Sequence, residues 1–138
     1  MSISTIFDKL NWAGRTEILV LNAPDSFEGA LKTLRDTRVL RRLGAAKSVG
    51  FALAFITRQA DLTRLSVVLA GKASGDAALW FAYPKGTSRR YQCDFNRDTG
   101  WDSVRAGGFD TVRQVAVDED WSALRFRRSE YIKSSGRK

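Results

Sequence analysis

The fold follows from the stretch Ala77-Ala78-Leu79-Trp80-Phe81-Ala82-Tyr83-Pro84-Lys85. Residues 78–83 carry no charge, which is typical of a strand buried on both faces of a parallel sheet. The proline ends this strand and places Tyr83 and Lys85 at its carboxyl end. In open α/β sheets, ligands bind beside that end of the strands.

Two further apolar runs, residues 17–22 and 49–57, predict parallel neighbours for this strand. Strands separated by helices require right-handed crossovers, so we expect a parallel sheet covered on both faces. Asn22, Thr57 and Lys85 should then lie along one edge of the sheet. Apolar positions at helical spacing precede and separate the runs, over residues 3–12, 25–34 and 59–72.

Shorter signals predict the connections between these elements. Asp25, with Glu28 three residues later, predicts a capping box at the start of the second helix. Residues 38–43 indicate a short strand, and their charges place it at an edge of the sheet. Residues 74–76, Ser-Gly-Asp, predict a turn into the strand at residues 78–83.

A further helix is expected after the basic segment that follows the central strand. Asn96 or Asp98 is expected to cap this helix, which carries Trp101 and Val104. Gly107-Gly108 supplies its C-terminal stop.

The C-terminal part predicts an antiparallel hairpin. Strand candidates cover residues 112–117 and 121–128, and Asp118-Glu119-Asp120 connects them. Three residues can join only antiparallel neighbours, so one strand near an edge is reversed. We therefore expect a single three-layer α/β domain over residues 1–128, followed by a basic tail at residues 129–138.

Four stretches distinguish the chain further: Leu21-Asn22-Ala23-Pro24, Tyr83-Pro84-Lys85, Asn96-Arg97-Asp98 and Asp120-Trp121-Ser122-Ala123-Leu124-Arg125-Phe126. Through them, residues 6–126 resemble a family of small bacterial proteins of unknown function. The order of elements resembles, more distantly, class I methyltransferase-like Rossmann domains. These resemblances imply a Rossmann-like fold but no activity. They also imply a strand order, with strands beginning at residues 38, 17, 49, 78, 121 and 112.

Composition excludes several kinds of site. The 138 residues contain no histidine and one cysteine, Cys93, which excludes a multi-cysteine zinc site, a histidine-based triad and an intramolecular disulfide. The N-terminus lacks a signal-peptide pattern, and no uncharged run approaches the roughly 20 residues that span a bilayer. We therefore expect no metal, no cofactor, no membrane contact and a cytoplasmic location.

The net charge of +8 is concentrated in three segments. Residues 35–47 carry +4, residues 85–90 carry +3 and residues 125–138 carry +5, whereas residues 94–120 are net acidic. This clustering favours anionic partners. A solvated basic surface is the alternative interpretation.

A nucleotide or S-adenosylmethionine site needs glycines after the first strand, so that backbone amides can approach the ligand. Here the turn is Asn22-Ala23-Pro24-Asp25, in which the proline has no N–H and the aspartate adds negative charge. The acidic residue expected after the second strand is replaced by Arg41 and Arg42. The glycine-rich loop of the methyltransferase pattern is therefore missing.

An anion site at the carboxyl edge is the second candidate. Basic residues interleaved with the rings of Tyr91 and Trp101 suit single-stranded nucleic acid, because rings stack on bases and arginines contact phosphates. A phosphorylated ligand fits the same residues. Pairing of Arg97 with Asp94 or Asp98 is the structural alternative. The candidate ligand-binding residues are Asn22, Tyr83, Lys85, Arg89, Arg90, Arg97, Asp118, Asp120 and Arg125.

The carboxylates of the hairpin turn have two interpretations. Asp118 and Asp120 can do acid and base work if burial separates their pKa values, with Arg125 or Lys85 as partners. Aspartate is also common in turns, because its side chain bonds nearby backbone. Cys93 is expected to be a semi-buried, unreactive thiol, since no histidine base is available.

These patterns favour a non-catalytic binding module, on a Rossmann-like scaffold, that recognises an anionic partner. The alternative is a histidine-free enzyme that acts on a small anionic substrate at the carboxyl edge of the sheet. Such an enzyme requires Lys85, Arg97 and an aspartate to converge around a pocket.

Overall fold

The computed structural model describes residues 5–12 and 15–132. These residues form helices and strands whose bounds are α1 (Thr5–Lys9), β1 (Glu17–Leu21), α2 (Asp25–Leu31), β2 (Arg38–Leu40), β3 (Val49–Phe55), α3 (Gln59–Lys72), β4 (Ala73–Pro84), α4 (Asp102–Ala106), β5 (Phe109–Ala116) and β6 (Trp121–Arg128). Short 3₁₀ turns occupy Leu43–Ala45 and Ser129–Tyr131.

One six-stranded sheet has the order β2-β1-β3-β4-β6-β5. β2, β1, β3 and β4 are mutually parallel where they pair, whereas β6 is antiparallel to both β4 and β5. The α/β, methyltransferase-like fold with a C-terminal antiparallel hairpin is confirmed, as is the predicted order of strands.

Both faces of the sheet are covered by helices. On one face, α1 and α2 pack on a core that includes Trp80 of β4. On the other face, α3 and α4 pack on a core that includes Phe81. Both side chains are 0% exposed, because alternate residues of β4 point to opposite faces and each face is covered.

The indole of Trp80 joins the sheet to the chain after α1. Its Nε1 donates a hydrogen bond to the carbonyl of Leu10 at 3.1 Å. Trp12, two residues later, meets the ring of Phe51 edge-on at a centroid distance of 5.0 Å. These contacts hold the short helix α1 against β3 and β4.

The predicted capping box is wrong. Asp25 is the first residue of α2, Pro24 is the N-cap, and no side chain caps the helix. Glu28 instead forms an ion pair with Arg41, which follows β2. The spacing of Asp25 and Glu28 is that of a capping box, but α2 begins at Asp25 itself, and the pairing of β2 beside β1 brings Arg41 to Glu28.

The predicted turn at residues 74–76 is also wrong, because these residues belong to β4. Between two successive pairs with β3, the chain advances from Ala73 to Ala78 against only Val49 to Phe51. The extra residues form an irregular bulge in which Gly75 has φ +57°. A glycine adopts this conformation without strain, so the strand continues without a loop.

The predicted caps of α4 are wrong as well. The N-cap is Trp101, and the Oδ1 of Asn96 accepts hydrogen bonds from the amides of Asp98 and Thr99, at 2.8 and 3.0 Å. Asn96 thus forms a local turn before the helix. Gly107 ends α4, as predicted, and Gly108 follows with φ +93°.

Several boundaries differ from the expectations. β2 ends at Leu40, because the 3₁₀ turn follows it, and β5 begins at Phe109 rather than at residue 112. The first helix was expected to begin at Ile3, which lies outside the described residues. Residues 133–138 of the predicted tail also lie outside them. No helix of the described chain combines the length and apolar character needed to span a bilayer.

The Trp80 hydrogen bond can be tested against a tryptophan that lacks one. The indole N–H of Trp121 is also buried but has no partner among the described residues. We expect Trp80→Phe to lower the free energy of unfolding by about 1 kcal/mol more than Trp121→Phe, because only the former removes a hydrogen bond. Urea denaturation measures both. Equal losses would show that the bond to Leu10 does not stabilise the fold.

Candidate functional site

A cleft of about 970 Å³ opens at the carboxyl end of β4. Its size falls within the range of about 300–1,000 Å³ that is usual for ligand sites. Three parts of the chain form it: the end of β4, the connection over residues 85–99, and the hairpin of β5 and β6. Its lining includes Tyr83, Lys85, Ser88, Tyr91, Cys93, Asp94, Arg97, Asp98, Gln114 and Ser122.

Aromatic rings hold the connection of residues 85–101 in place. Trp101 is 1% exposed, and its ring meets Tyr83 at a centroid distance of 5.7 Å and Phe95 at 5.5 Å. The indole Nε1 of Trp101 donates to the carbonyl of Asn96 at 2.7 Å. The cleft therefore has a wall that is fixed to the hydrophobic core.

Asp94 fastens the same connection to the start of α3. Its Oδ1 accepts a hydrogen bond from the amide of Gln59 at 2.5 Å, and its own amide donates to the carbonyl of Thr57 at 3.3 Å. The first amides of a helix lack intrahelical partners, so a carboxylate there is stabilised. Asp94 supplies the cap that the sequence preceding α3 does not.

Tyr83 is the most buried polar group of the cleft, at 5% exposure. Its hydroxyl accepts a hydrogen bond from Nε2 of Gln114 at 3.3 Å, and Nη1 of Arg97 donates to Oε1 of the same glutamine at 3.4 Å. Burial raises the pKa of Tyr83, although the charge of Arg97 opposes the shift. The phenol is therefore protonated at neutral pH and can donate a proton or hydrogen bond.

The cations predicted for this site divide into two groups. Lys85 and Arg97 line the cleft, whereas Arg89 and Arg90 do not. The side chain of Arg90 is 73% exposed and lies 3.9 Å from Asp120. Pairs this exposed contribute little to stability. The predicted pairing of Arg97 with Asp98 is present, at 3.7 Å, and is likewise exposed.

The hairpin carboxylates have structural partners. Asp118 accepts hydrogen bonds from the amides of Asp120 and Trp121, at 2.8 and 2.9 Å, which is the turn interpretation. Asp120 accepts from the hydroxyl of Ser88 at 2.9 Å. It meets Lys85 only through the backbone, where the lysine amide donates to the Asp120 carbonyl at 2.8 Å.

The structure does not bring Arg125 to either aspartate. Arg125 pairs across the sheet with Trp80, four residues along β6 from Trp121. At about 3.3 Å per residue, that spacing removes it roughly 13 Å from the edge that forms the cleft. Spacing along the sequence did not reveal this distance, because the register of β6 on β4 is set by packing.

Cys93 lines the cleft and packs partly against the core. Burial raises the pKa of this thiol, so it is protonated and weakly nucleophilic at neutral pH. This agrees with the expectation of an unreactive thiol. The described residues contain no group of three or more acidic or cysteine side chains placed to hold a metal ion.

The topological switch point of the sheet lies between β1 and β3. The helices that follow these strands pack on opposite faces, and ligands of open α/β sheets bind in such a crevice. Here Nδ2 of Asn22 donates to the carbonyl of Phe55 at 3.4 Å across it. Asp94 already occupies the start of α3. Asn22 and Asp94 thus place side chains of the chain itself at this crevice.

The fold is similar to that of solved methyltransferases. The mitomycin 7-O-methyltransferase MmcR matches with a TM-score of 0.63 and 8% identity, over 91% of this chain and 54% of that one. Magnesium protoporphyrin IX methyltransferase (ChlM) from Synechocystis PCC 6803, with bound SAH, matches with 0.59 and 10%, over 91% and 82%. A SAM-dependent methyltransferase from Aquifex aeolicus matches with 0.58 and 12%, over 88% of each chain.

No protein-family model and no curated protein matches the sequence. The resemblance to a small bacterial family stays a prediction. The structural matches contradict the interpretation of a non-catalytic binding module, because the proteins named above that share this fold are enzymes. At identities of 8–12%, the likeness itself shows the fold.

Sequence reasoning missed Gln114, Ser88 and Ser122 as parts of the cleft. Gln114 lies on an edge strand with exposed neighbours, and nothing in its local pattern separates it from an ordinary surface residue. Ser88 lies inside the predicted basic segment, but its bond to Asp120 depends on the hairpin turn. Only the assembled sheet brings these side chains together.

The cap that Asp94 supplies can be tested directly. We expect Asp94→Ala to lower the free energy of unfolding by about 1 kcal/mol, as loss of a helix cap does, and Asp94→Asn to retain most of it. Asp98→Ala is the control, because that carboxylate is 80% exposed. Thermal or urea denaturation measures the effect. If Asp98→Ala costs as much as Asp94→Ala, the cap has no special role.

Proposed function

We propose that the chain is an enzyme that binds a small anionic substrate in the cleft at the carboxyl end of β4. The observation that carries this proposal is that Lys85, Arg97 and Tyr83, with its hydroxyl, line one cleft of about 970 Å³. The methyltransferases that share the fold support the class of enzyme.

Charge supports the anionic substrate. The ammonium of Lys85 has no ion pair or side-chain hydrogen bond in the part of the chain that the structure describes. Asp94, a carboxylate that also lines the cleft, already accepts a hydrogen bond at the start of α3. Arg89 and Arg90 add positive potential outside the opening, which attracts anions to it.

The buried groups of the cleft suggest roles for its residues. Lys85 would bind the charged group of the substrate, and Gln114 would orient the Tyr83 hydroxyl through the bond at 3.3 Å. Since burial keeps that hydroxyl protonated, Tyr83 would serve as a proton or hydrogen-bond donor rather than as a base. Arg97 would hold Gln114 in place.

Methyl transfer is the reaction class that the structural neighbours favour. The residues at the switch point, however, do not fit S-adenosylmethionine there. Pro24 at the start of α2 has no N–H, Asn22 bridges to β3, and the start of α3 is capped by Asp94. We therefore assign no step to this methyl donor, and its binding is decided by experiment.

A ligand screen by thermal shift tests the proposal. The panel contains S-adenosylmethionine, S-adenosylhomocysteine, and small carboxylates and phosphates. A ligand at 100 times its Kd stabilises the fold by about 2.7 kcal/mol. We expect an anionic member to raise the Tm, and Lys85→Ala to abolish that rise.

Lys32→Ala is the matched control, since that lysine is exposed and lies at the C-terminal end of α2, which follows β1 rather than β4. No shift from any member of the panel contradicts the proposal. A shift that survives Lys85→Ala places the ligand elsewhere.

The single domain over residues 1–128, a nucleic-acid partner and the cytoplasmic location stay predictions from the sequence.

A further inference from the structure

An arginine cluster lies on the face of the sheet that carries α1, away from the cleft. It consists of Arg15, Arg113, Arg125 and Arg127. Arg125 pairs across the sheet with both Trp80 and Arg113, and Arg127 follows it on the same face of β6. The guanidinium of Arg15 stacks over the ring of Phe51 at 5.4 Å.

Asp76 is the one carboxylate that forms an ion pair with the cluster among the described residues, and Asp110 lies opposite Arg127 across β5 and β6. Asp76 accepts two hydrogen bonds from Arg127, at 2.7 and 2.6 Å. That fork-to-fork pair uses both oxygens of the carboxylate. Arg125 and Arg113 have no ion pair or hydrogen bond of their guanidinium groups in the described chain, although they face each other directly across β5 and β6. Like charges in this position destabilise a sheet.

Two donors in the cluster are buried without partners. The Nε atoms of Arg15 and Arg125 are both inaccessible to solvent, and neither has a hydrogen-bond partner among the described residues. Burial lowers the pKa of Arg125, repulsion from Arg127, Arg15 and Arg113 lowers it further, and Asp76 opposes the shift. Unsatisfied buried donors are rare in folded proteins, and groups perturbed in this way are concentrated at functional sites.

We propose that the arginine cluster binds a phosphate-type oxyanion, held by Arg125 with Arg15 and Arg113. Guanidinium groups bind the oxygens of phosphate in pairs, and several of them around one point suit an anion with more than two oxygens. Such an anion would contact the terminal amino groups of these guanidinium groups and offset the repulsion between Arg125 and Arg113 across β5 and β6. Inorganic phosphate and the phosphoryl group of a monoester share this chemistry. The site is independent of the cleft.

Calorimetric titration of the full chain, with inorganic phosphate and with glycerol phosphate at equal ionic strength, tests the proposal. We expect Arg125→Met to weaken binding at least tenfold and Arg113→Gln to weaken it several-fold. Arg105→Gln is the control, because that exposed arginine lies on α4, on the opposite face. The same titrations in a Lys85→Ala background remove binding at the cleft, so the affinity that remains in that background is that of the arginine cluster.

The Tm of Arg125→Met shows whether a loss of binding comes from the removed guanidinium or from unfolding. Methionine matches the apolar stem of Arg125 as far as the position of Nε and removes the guanidinium with its unpaired donor. We therefore expect Arg125→Met to have a Tm at or above that of the wild type in phosphate-free buffer. The proposal is overturned if the wild type binds neither ligand, or if Arg125→Met binds as tightly as the wild type. A loss equal in Arg105→Gln would show non-specific attraction and would overturn it too.

Discussion

The burial of β4 on both faces and along both edges is the constraint on which the rest of the structure depends. Every side chain from Ala77 to Pro84 is buried. The backbone amides and carbonyls of such a strand need partners from the sheet, since water cannot reach them. β3 satisfies one edge and β6 the other. Helices must then cover both faces, because apolar side chains point to each.

The cleft is a consequence of how β4 is flanked. β4 has a parallel neighbour, β3, on one side and an antiparallel neighbour, β6, on the other. A long connection, residues 85–101, follows β4 and leads through α4 to the hairpin of β5 and β6. The hairpin brings its turn back to the carboxyl end of β4, where Trp121 pairs with Pro84. The connection and the turn meet there, and both are tied down by Trp101, Asp94 and Asp120. The loops that line the cleft are therefore held on a rigid scaffold.

The fold is similar to that of the methyltransferases named above, and its switch point carries side-chain contacts of this chain's own. A hydrogen bond from Asn22 to Phe55 spans the crevice between β1 and β3, whereas the cleft of about 970 Å³ lies beyond β4. A fold does not determine a site, so the ligand of this chain has to be inferred from its own groups. Lys85 at the cleft, and Arg125 with Arg113 on the α1 face of β6 and β5, are cations without an ion pair among the described residues. These two places are where anions would be bound.

The sequence alone determined the apolar runs, their separation by helices and the reversed hairpin. Burial of a strand requires a run of apolar residues, and a short connection requires antiparallel neighbours, so both can be recognised from adjacent residues. It also predicted that Tyr83 and Lys85 lie at the carboxyl end of a strand, since the end of a strand is a local feature. The bulge at Gly75, the cap from Asp94, the bonds of Gln114 and the meeting of Arg15 with Arg125 were decided only by the tertiary structure. Each depends on groups that are far apart in the chain and are brought together by strand register and packing.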